Sequence, residues 1–250
     1  MDFLNQLVSD VNGVLWGVFF LIPLLCGTGI FYTIKLRFVQ VRKFGLAARF
    51  LLGGASLFGK RADKSGMSSF QALATAVAAQ VGTGNVAGTA TALVAGGPGS
   101  LFWLWVAAFF GMATIFAEAV LAQTYRTKDE QGRVLGGPAY YITLGMGEKW
   151  RPLAVFFSIA IIIALGCIGN MVQSNSIAHA MQTAFNVPAA VSGVVCAVLA
   201  GLVFFGGVGR LASVTEKIVP FMAAIYLIGG LWVIAAHITE VIPAFRLIFV

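Results

Sequence analysis

The stretch FQALATAVAAQVGTGNVAGTATALV, residues 70–94, decides how this chain is read. It is long and apolar enough to cross a bilayer, which takes about 20 residues of helix. Its centre, however, runs Gln80, Val81, Gly82, Thr83, Gly84, Asn85. Each glycine weakens a helix by about 1 kcal/mol relative to alanine, and two of them one residue apart let the backbone leave the helical well. Irregular backbone at membrane depth is tolerated only where it faces protein or a water-filled cavity. The sequence therefore predicts a helix interrupted near the midplane, where freed carbonyls suit a cation and the start of the second half-helix suits a carboxylate. Gly84 and Gly88 also fit plain close packing of helices, but packing gives no reason for Gln80, Thr83 and Asn85 to cluster at one depth.

The surrounding sequence has the composition of a membrane protein. The 250 residues are 59% hydrophobic and only 10% charged, against about 25% charged in soluble domains. Six spans are expected, at about 13–34, 68–97, 100–125, 152–182, 188–208 and 213–237. Continuous apolar runs, rather than alternating ones, favour helices over a barrel. Cys26, Cys167 and Cys196 stand alone in these runs and are expected as small core residues. The 16 Lys and Arg residues, which give a net charge of +7, fall in or beside the breaks. Two basic connections, 35–66 and 126–151, are expected to be cytoplasmic loops, which places the N-terminus outside. No basic patch with interleaved aromatics points to nucleic acid. In the first loop Phe38, Val41, Phe44, Leu46, Phe50 and Leu51 alternate with Arg42, Lys43 and Arg49, the pattern of an amphipathic helix lying on membrane lipid.

Two strings carry a resemblance to a known family. VGTGNVAG at 81–88 and GGPGSLFWLWVAAFFGMAT at 96–114 are similar to signature blocks of the alanine or glycine:cation symporter family (sodium:alanine symporters). GGPAYYI at 136–142 and GNMVQSNS at 169–176 resemble further blocks, so the likeness covers the whole chain. It implies an all-α membrane protein with a leucine-transporter-type fold, made of one extra N-terminal helix and two inverted five-helix repeats. Spans two to six would be the first repeat. The second would be absent, since an apolar run simply stops at Val250 and family members are about twice as long. The resemblance also implies a multi-pass protein of a bacterial-type plasma (inner) membrane.

The candidate site follows from the same residues. Gly82, Thr83 and Gly84 would offer backbone groups to a substrate carboxylate, and Asn85 a side-chain oxygen to sodium or substrate, with Gln71 closing the site from the same span. Gln80, Val81 and Asn85 would hold sodium. In the fourth span Gly166, Asn170 and Gln173 share a helical face, and with Asn175 they supply too many amides for a lipid-facing surface. Glu118, the only acid well inside a span, forms a narrow stripe with Ala107, Gly111, Thr114 and Ala122 that is expected to face the bundle, with gating or coupling as its sharper role and a structural hydrogen bond as its plainer one. Glu216 is expected beside Lys217 as a solvated pair or as part of an inner gate.

The expected function is sodium-coupled symport of alanine, glycine or a similar small amino acid by alternating access. Proton coupling and an inactive truncated chain are the alternatives; a channel lacks its repeated pore loop or charged ring. A membrane enzyme would need a nucleophile with a base, or a His and acid metal cluster, and the spans carry neither. No cofactor is expected beyond sodium as the coupling ion. The partners are the small amino acid, lipid and the residues of the missing repeat that would complete the site.

Overall fold

The computed structural model describes residues 2–17, 19–53, 69–132 and 134–249. Lys60, Arg61, Asp63, Lys64 and Arg133 of the expected loops, and the side chains of Phe50 and Leu51, lie outside the described residues. The rest is almost entirely helical. Helices α1 (Asp2–Leu15), α2 (Leu21–Lys35), α3 (Val39–Arg42) and α4 (Phe44–Gly53) lead to the stretch that opened the sequence reading. That stretch forms α5 (Ser69–Gln80), a π-helical turn at Gly84–Gly88 and α6 (Thr89–Gly96). Beyond it come α7 (Gly99–Thr124), α8 (Pro138–Met146), α9 (Arg151–Ile161), α10 (Asn170–Phe185), α11 (Ala189–Phe204), α12 (Gly207–Ala236) and α13 (Val241–Phe249).

Three continuous helical stretches are long and apolar enough to cross a membrane: Gly99–Thr124, Glu148–Phe185 and Gly207–Ala236. Leu21–Lys35 and Ala189–Phe204 are shorter apolar helices. The stretch at 13–34, expected as one span, is instead divided between α1 and α2, with bends at Trp16 and Gly17 and a turn at Phe19 and Phe20. Pro23 sits in the first turn of α2, where its missing N–H is not needed. The link expected near 209–212 falls earlier, at Phe205 and Gly206, because Gly207 takes φ 70° and starts α12 there.

Two identical Gly-Gly-Pro strings make two similar corners. Gly97 (φ 69°) ends α6 and Pro98 leads into α7; Gly137 (φ 98°) precedes α8 and Pro138 is its first residue. Only glycine takes such positive φ freely, and proline is preset for a helix start. Between α7 and α8 the basic connection forms a hairpin, β1 (Thr127–Lys128) with antiparallel β2 (Val134–Leu135). Asp129 shapes its turn, accepting from Gln131 N–H at its carboxylate and from Gly132 N–H at its carbonyl.

Packing between helices runs through small residues, as expected where lipid tails are as apolar as the side chains. Along α7 the packed line holds Ala113 and Ala117, both buried, and meets α2 at Gly29, where an added Cβ would stand 2.9 Å from the Phe110 Cβ. Of the stripe expected to face the bundle, Thr114 and Ala122 are half-buried and Ala107, Gly111 and Glu118 are exposed. The cysteines also differ from expectation. Cys26 and Cys167 are exposed and Cys196 is half-buried, an outcome open to a small apolar side chain whose helix faces lipid. The main partner of α5 is α12, along a seam containing Ala74, Ala212 and Val219, all buried. Pro220 lies inside α12 and has no N–H for the carbonyl of Glu216, four residues back. The aromatic rings of Phe245 and Phe249 fasten α13 to Phe102 and Trp105 at the start of α7.

The junction of α2 and α3 is the most constrained turn. Arg37 (φ 52°) and Phe38 (φ 53°) are consecutive non-glycine residues in the left-handed region, which costs roughly 1–2 kcal/mol for each. Phe38 N–H donates to the Thr33 carbonyl at 2.8 Å, Gln40 Nε2 donates to Thr33 Oγ1 at 3.0 Å, and Thr33 is only 1% exposed. These bonds hold α3 back against α2.

A valine at Gly29 should separate α2 from α7. We expect Gly29→Val to lower the thermal unfolding midpoint in detergent, by an overpacking penalty of about 1–3 kcal/mol. Gly27→Ala, where nothing lies within 4 Å of the new Cβ, should not lower it and should raise it by up to about 1 kcal/mol of helix propensity.

Candidate functional site

The interruption is held by its own side chains. Val81 N–H makes the last bond of α5, to the Val77 carbonyl at 2.8 Å. The chain then turns so that Asn85 N–H donates to the Gly82 carbonyl at 3.1 Å, while Gly82 N–H donates to Asn85 Oδ1 at 2.8 Å. Asn85 thus closes a reciprocal pair across the gap. Thr89 Oγ1 donates to the Asn85 carbonyl at 2.7 Å, fixing the π-helical turn to α6. Such turns are rare inside helices and concentrate at functional sites.

A second element comes against the break. Gln173, on α10, accepts at Oε1 from both Thr83 N–H (3.1 Å) and Thr83 Oγ1 (2.9 Å). A Cβ at position 82 would stand 2.7 Å from Gln173 Nε2, so glycine there is what admits the amide. A π-helical stretch at Ile162–Gly169 precedes α10, and Asn170 Nδ2 donates to the Gly166 carbonyl at 3.0 Å. Gly82 and Thr83 are half-buried, whereas Gly84, Asn85, Asn170 and Gln173 are exposed. The cluster is therefore one wall of a polar site, open on its other side. Gln80 and Val81 flank it and are also exposed. Among the described residues no three His, Cys, Asp or Glu side chains come together, so a cation at the break would meet amide and backbone oxygens.

The structure places the other expected site residues apart from this cluster. Gln71 lies eleven residues before Gly82 on a regular helix, about 16 Å along the axis at 1.5 Å per residue. Its Nε2 donates to Glu216 Oε2 on α12 at 2.8 Å, and Thr75 Oγ1 lies 3.2 Å from Thr215 Oγ1 beside it. Glu216 is thus paired with Gln71 rather than with Lys217, which is exposed; adjacent helical residues do not face one another. The two threonines were not singled out in the sequence, although Gln71 and Thr75 stand at i and i+4 on α5 and mark a polar face there. Glu118 is exposed on α7 and lies within electrostatic reach of Tyr141 on α8. Burial first, then the Glu118 carboxylate and Tyr32, push the Tyr141 hydroxyl above its ordinary value of 10.0.

Three helical stretches long and apolar enough to cross a bilayer place the chain in the class of integral membrane proteins. Comparison with known proteins carries this to a family. The sodium:alanine symporter family model matches residues 1–250. The chain is 45% identical over 254 residues to the sodium/alanine symporter AgcS of Methanococcus maripaludis, covering 100% of this chain and 54% of that protein. It is 43% identical to the putative sodium/proton-dependent alanine carrier protein YrbD of Bacillus subtilis, over 97% of this chain and 48% of that one. With the probable sodium/glutamine symporter GlnT of Bacillus subtilis it shares 38% identity, over 95% and 48%. The chain belongs to the sodium:alanine symporter family. It spans about half the length of these curated relatives.

The Gln71 to Glu216 bond can be measured separately from transport. Removing the amide in Gln71→Leu withdraws a donor from a half-buried carboxylate, which should cost about 1–3 kcal/mol of stability. A double-mutant cycle with Glu216→Gln, read by thermal unfolding, should show coupling on the order of 1 kcal/mol between the two positions.

Proposed function

We propose that the protein is a secondary active transporter that couples entry of a small zwitterionic amino acid, alanine or glycine, to sodium by alternating access. The observation that carries this reading is the pairing of Thr83 with Gln173 across the interrupted helix. Thr83 offers an N–H and a hydroxyl to one amide oxygen, and Gly82 offers its N–H to another, Asn85 Oδ1. A substrate carboxylate brings two oxygens of the same hydrogen-bonding character. It would take the Thr83 donors from Gln173 and free the Gln173 amide to turn towards the substrate, with Gly84 allowing close approach. Asn170 extends the polar wall along α10. Backbone oxygens at Gln80 and Val81, with the remaining lone pair of Asn85 Oδ1, suit sodium, whose positive charge would in turn favour the carboxylate beside it.

The family includes relatives named for alanine and for glutamine, so side-chain size is set by residues other than these shared polar groups. We assign the chain the leucine-transporter-type arrangement, with α5 to α12 as the first of two inverted repeats, the N-terminus outside and the basic connections in the cytoplasm. The residues of a second repeat would form the open side of the site. The Gln71 and Glu216 pair at the far end of α5 suits an inner gate, since it joins the first half of the interrupted helix to α12. Glu118 favours one further reading, proton coupling, because it is the single acid within α7 and lies within electrostatic reach of Tyr141.

Uptake of labelled alanine by cells expressing the protein tests the proposal. Replacing sodium by choline should abolish uptake, and Asn85→Ala should reduce it at least tenfold while membrane insertion is unchanged, as expected for loss of about 1.4 kcal/mol or more of site energy. Uptake that persists in choline but collapses with a protonophore would transfer the coupling to protons. No transport of any small amino acid would remove the function.

A further inference from the structure

Four cations and three apolar side chains line an open cup of about 360 Å³ where α2, α3 and α7 meet: Lys35, Arg37, Arg42 and Lys43, with Leu36, Val39 and Phe116. We propose that this cup is a discrete binding site for the phosphodiester headgroup of an anionic membrane lipid. Among the described residues no acidic side chain lines it. Glu118 is only two residues beyond Phe116, but two helical steps turn it about 200° round α7, away from the cup.

The cup is built rather than incidental. Its cations come from the end of one helix and the end of the next, and they converge because the chain between them folds through two left-handed residues, Arg37 and Phe38. That costly conformation is held by bonds from Phe38 and Gln40 to the buried Thr33, and by Val39, itself buried. Backbone strain kept in place by its surroundings is a mark of sites. A relaxed turn here would spread the same four charges apart.

Depth selects a lipid over a soluble anion. Phe116 lies eight residues before the end of α7, about 12 Å inside it at 1.5 Å per residue, so it forms an apolar floor below the headgroups while the cations stand at the mouth of the cup. Lys35 is the last residue of apolar α2. Around the cup Phe38, Val41, Phe44 and Leu46 are exposed apolar side chains, placed to enter the acyl boundary while the cations take the phosphate. Leu36, Val39 and Phe116 would receive the glycerol end of the same molecule. Charges spread over a loop attract anionic lipid without stoichiometry; a cup predicts saturation at one lipid and a preference that depends on four named residues.

The test uses the full chain purified in a non-ionic detergent, titrated with dioctanoyl phosphatidylglycerol, with its unfolding midpoint and its bound lipid followed by native mass spectrometry. We expect a saturable rise of the midpoint and one retained lipid, neither of which dioctanoyl phosphatidylcholine reproduces. Replacing Arg37, Arg42 and Lys43 by Gln together should weaken the apparent affinity about a hundredfold, from roughly fivefold for each cation near an anionic surface. Replacing Arg126, Lys128 and Lys149 by Gln removes equal charge elsewhere and should leave the affinity unchanged. Equal loss in both triple variants would reduce the effect to net charge and overturn the site. Inorganic phosphate that saturates the midpoint shift and displaces the lipid would overturn the lipid assignment in favour of a soluble anion, and absence of a saturable shift in the unsubstituted protein would overturn the proposal outright.

Discussion

In lipid every backbone N–H and C=O must find a partner within the protein, and the interruption after Gln80 is where this chain meets that demand in an unusual way. A continuous helix would answer it residue by residue. Here Asn85 supplies the oxygen that Gly82 N–H lacks, Gln173 supplies the one that Thr83 N–H lacks, and Thr89 takes the Asn85 carbonyl. The gap is closed by groups that can be exchanged for others of like chemistry. The backbone groups freed by the interruption are thus satisfied by amide and hydroxyl side chains rather than by a continuous helical ladder.

The rest of the bundle positions that gap. Small residues let α2 lie close on α7 and α5 close on α12, and the Gly-Gly-Pro corners set where α7 and α8 begin. The arrangement keeps the polar groups in two separate places, with Gln71 and Thr75 on α5 bonding to α12, and Gly82 and Thr83, just past its end, bonding to Asn85 and α10. One helix and the residues that follow it therefore carry both contacts, so a tilt of α5 acts on the two together.

How much of this was legible in sequence depended on range. The interruption was readable because its glycines and amides are local, and a fault in a helix of known period needs no partner to be seen. Gln173 was readable as a polar position on one face, but its bonds to Thr83, ninety residues away, were not. The link between Gln71 and Glu216 was hidden for the same reason: each has an ordinary explanation as a solvated helix end, and only packing of α5 on α12 brings them together. Elements in the basic connection went unread because hydropathy alone does not separate a hairpin from a loop, although the turn signal of Asp129 and Gly132 was present. The packed line of α7, Ala113 with Ala117, was not legible because a row of small residues marks a face that can pack, and the sequence alone does not say which of two such rows meets α2.

Pro220 gives α12 a property that its side chains do not. The Glu216 carbonyl, deprived of the N–H that would have been its helical donor, cannot be turned towards hydrocarbon at tolerable cost. A neighbouring group must therefore serve that oxygen wherever this 30-residue helix lies in lipid, and the missing bond makes the same point the place where the helix bends most easily.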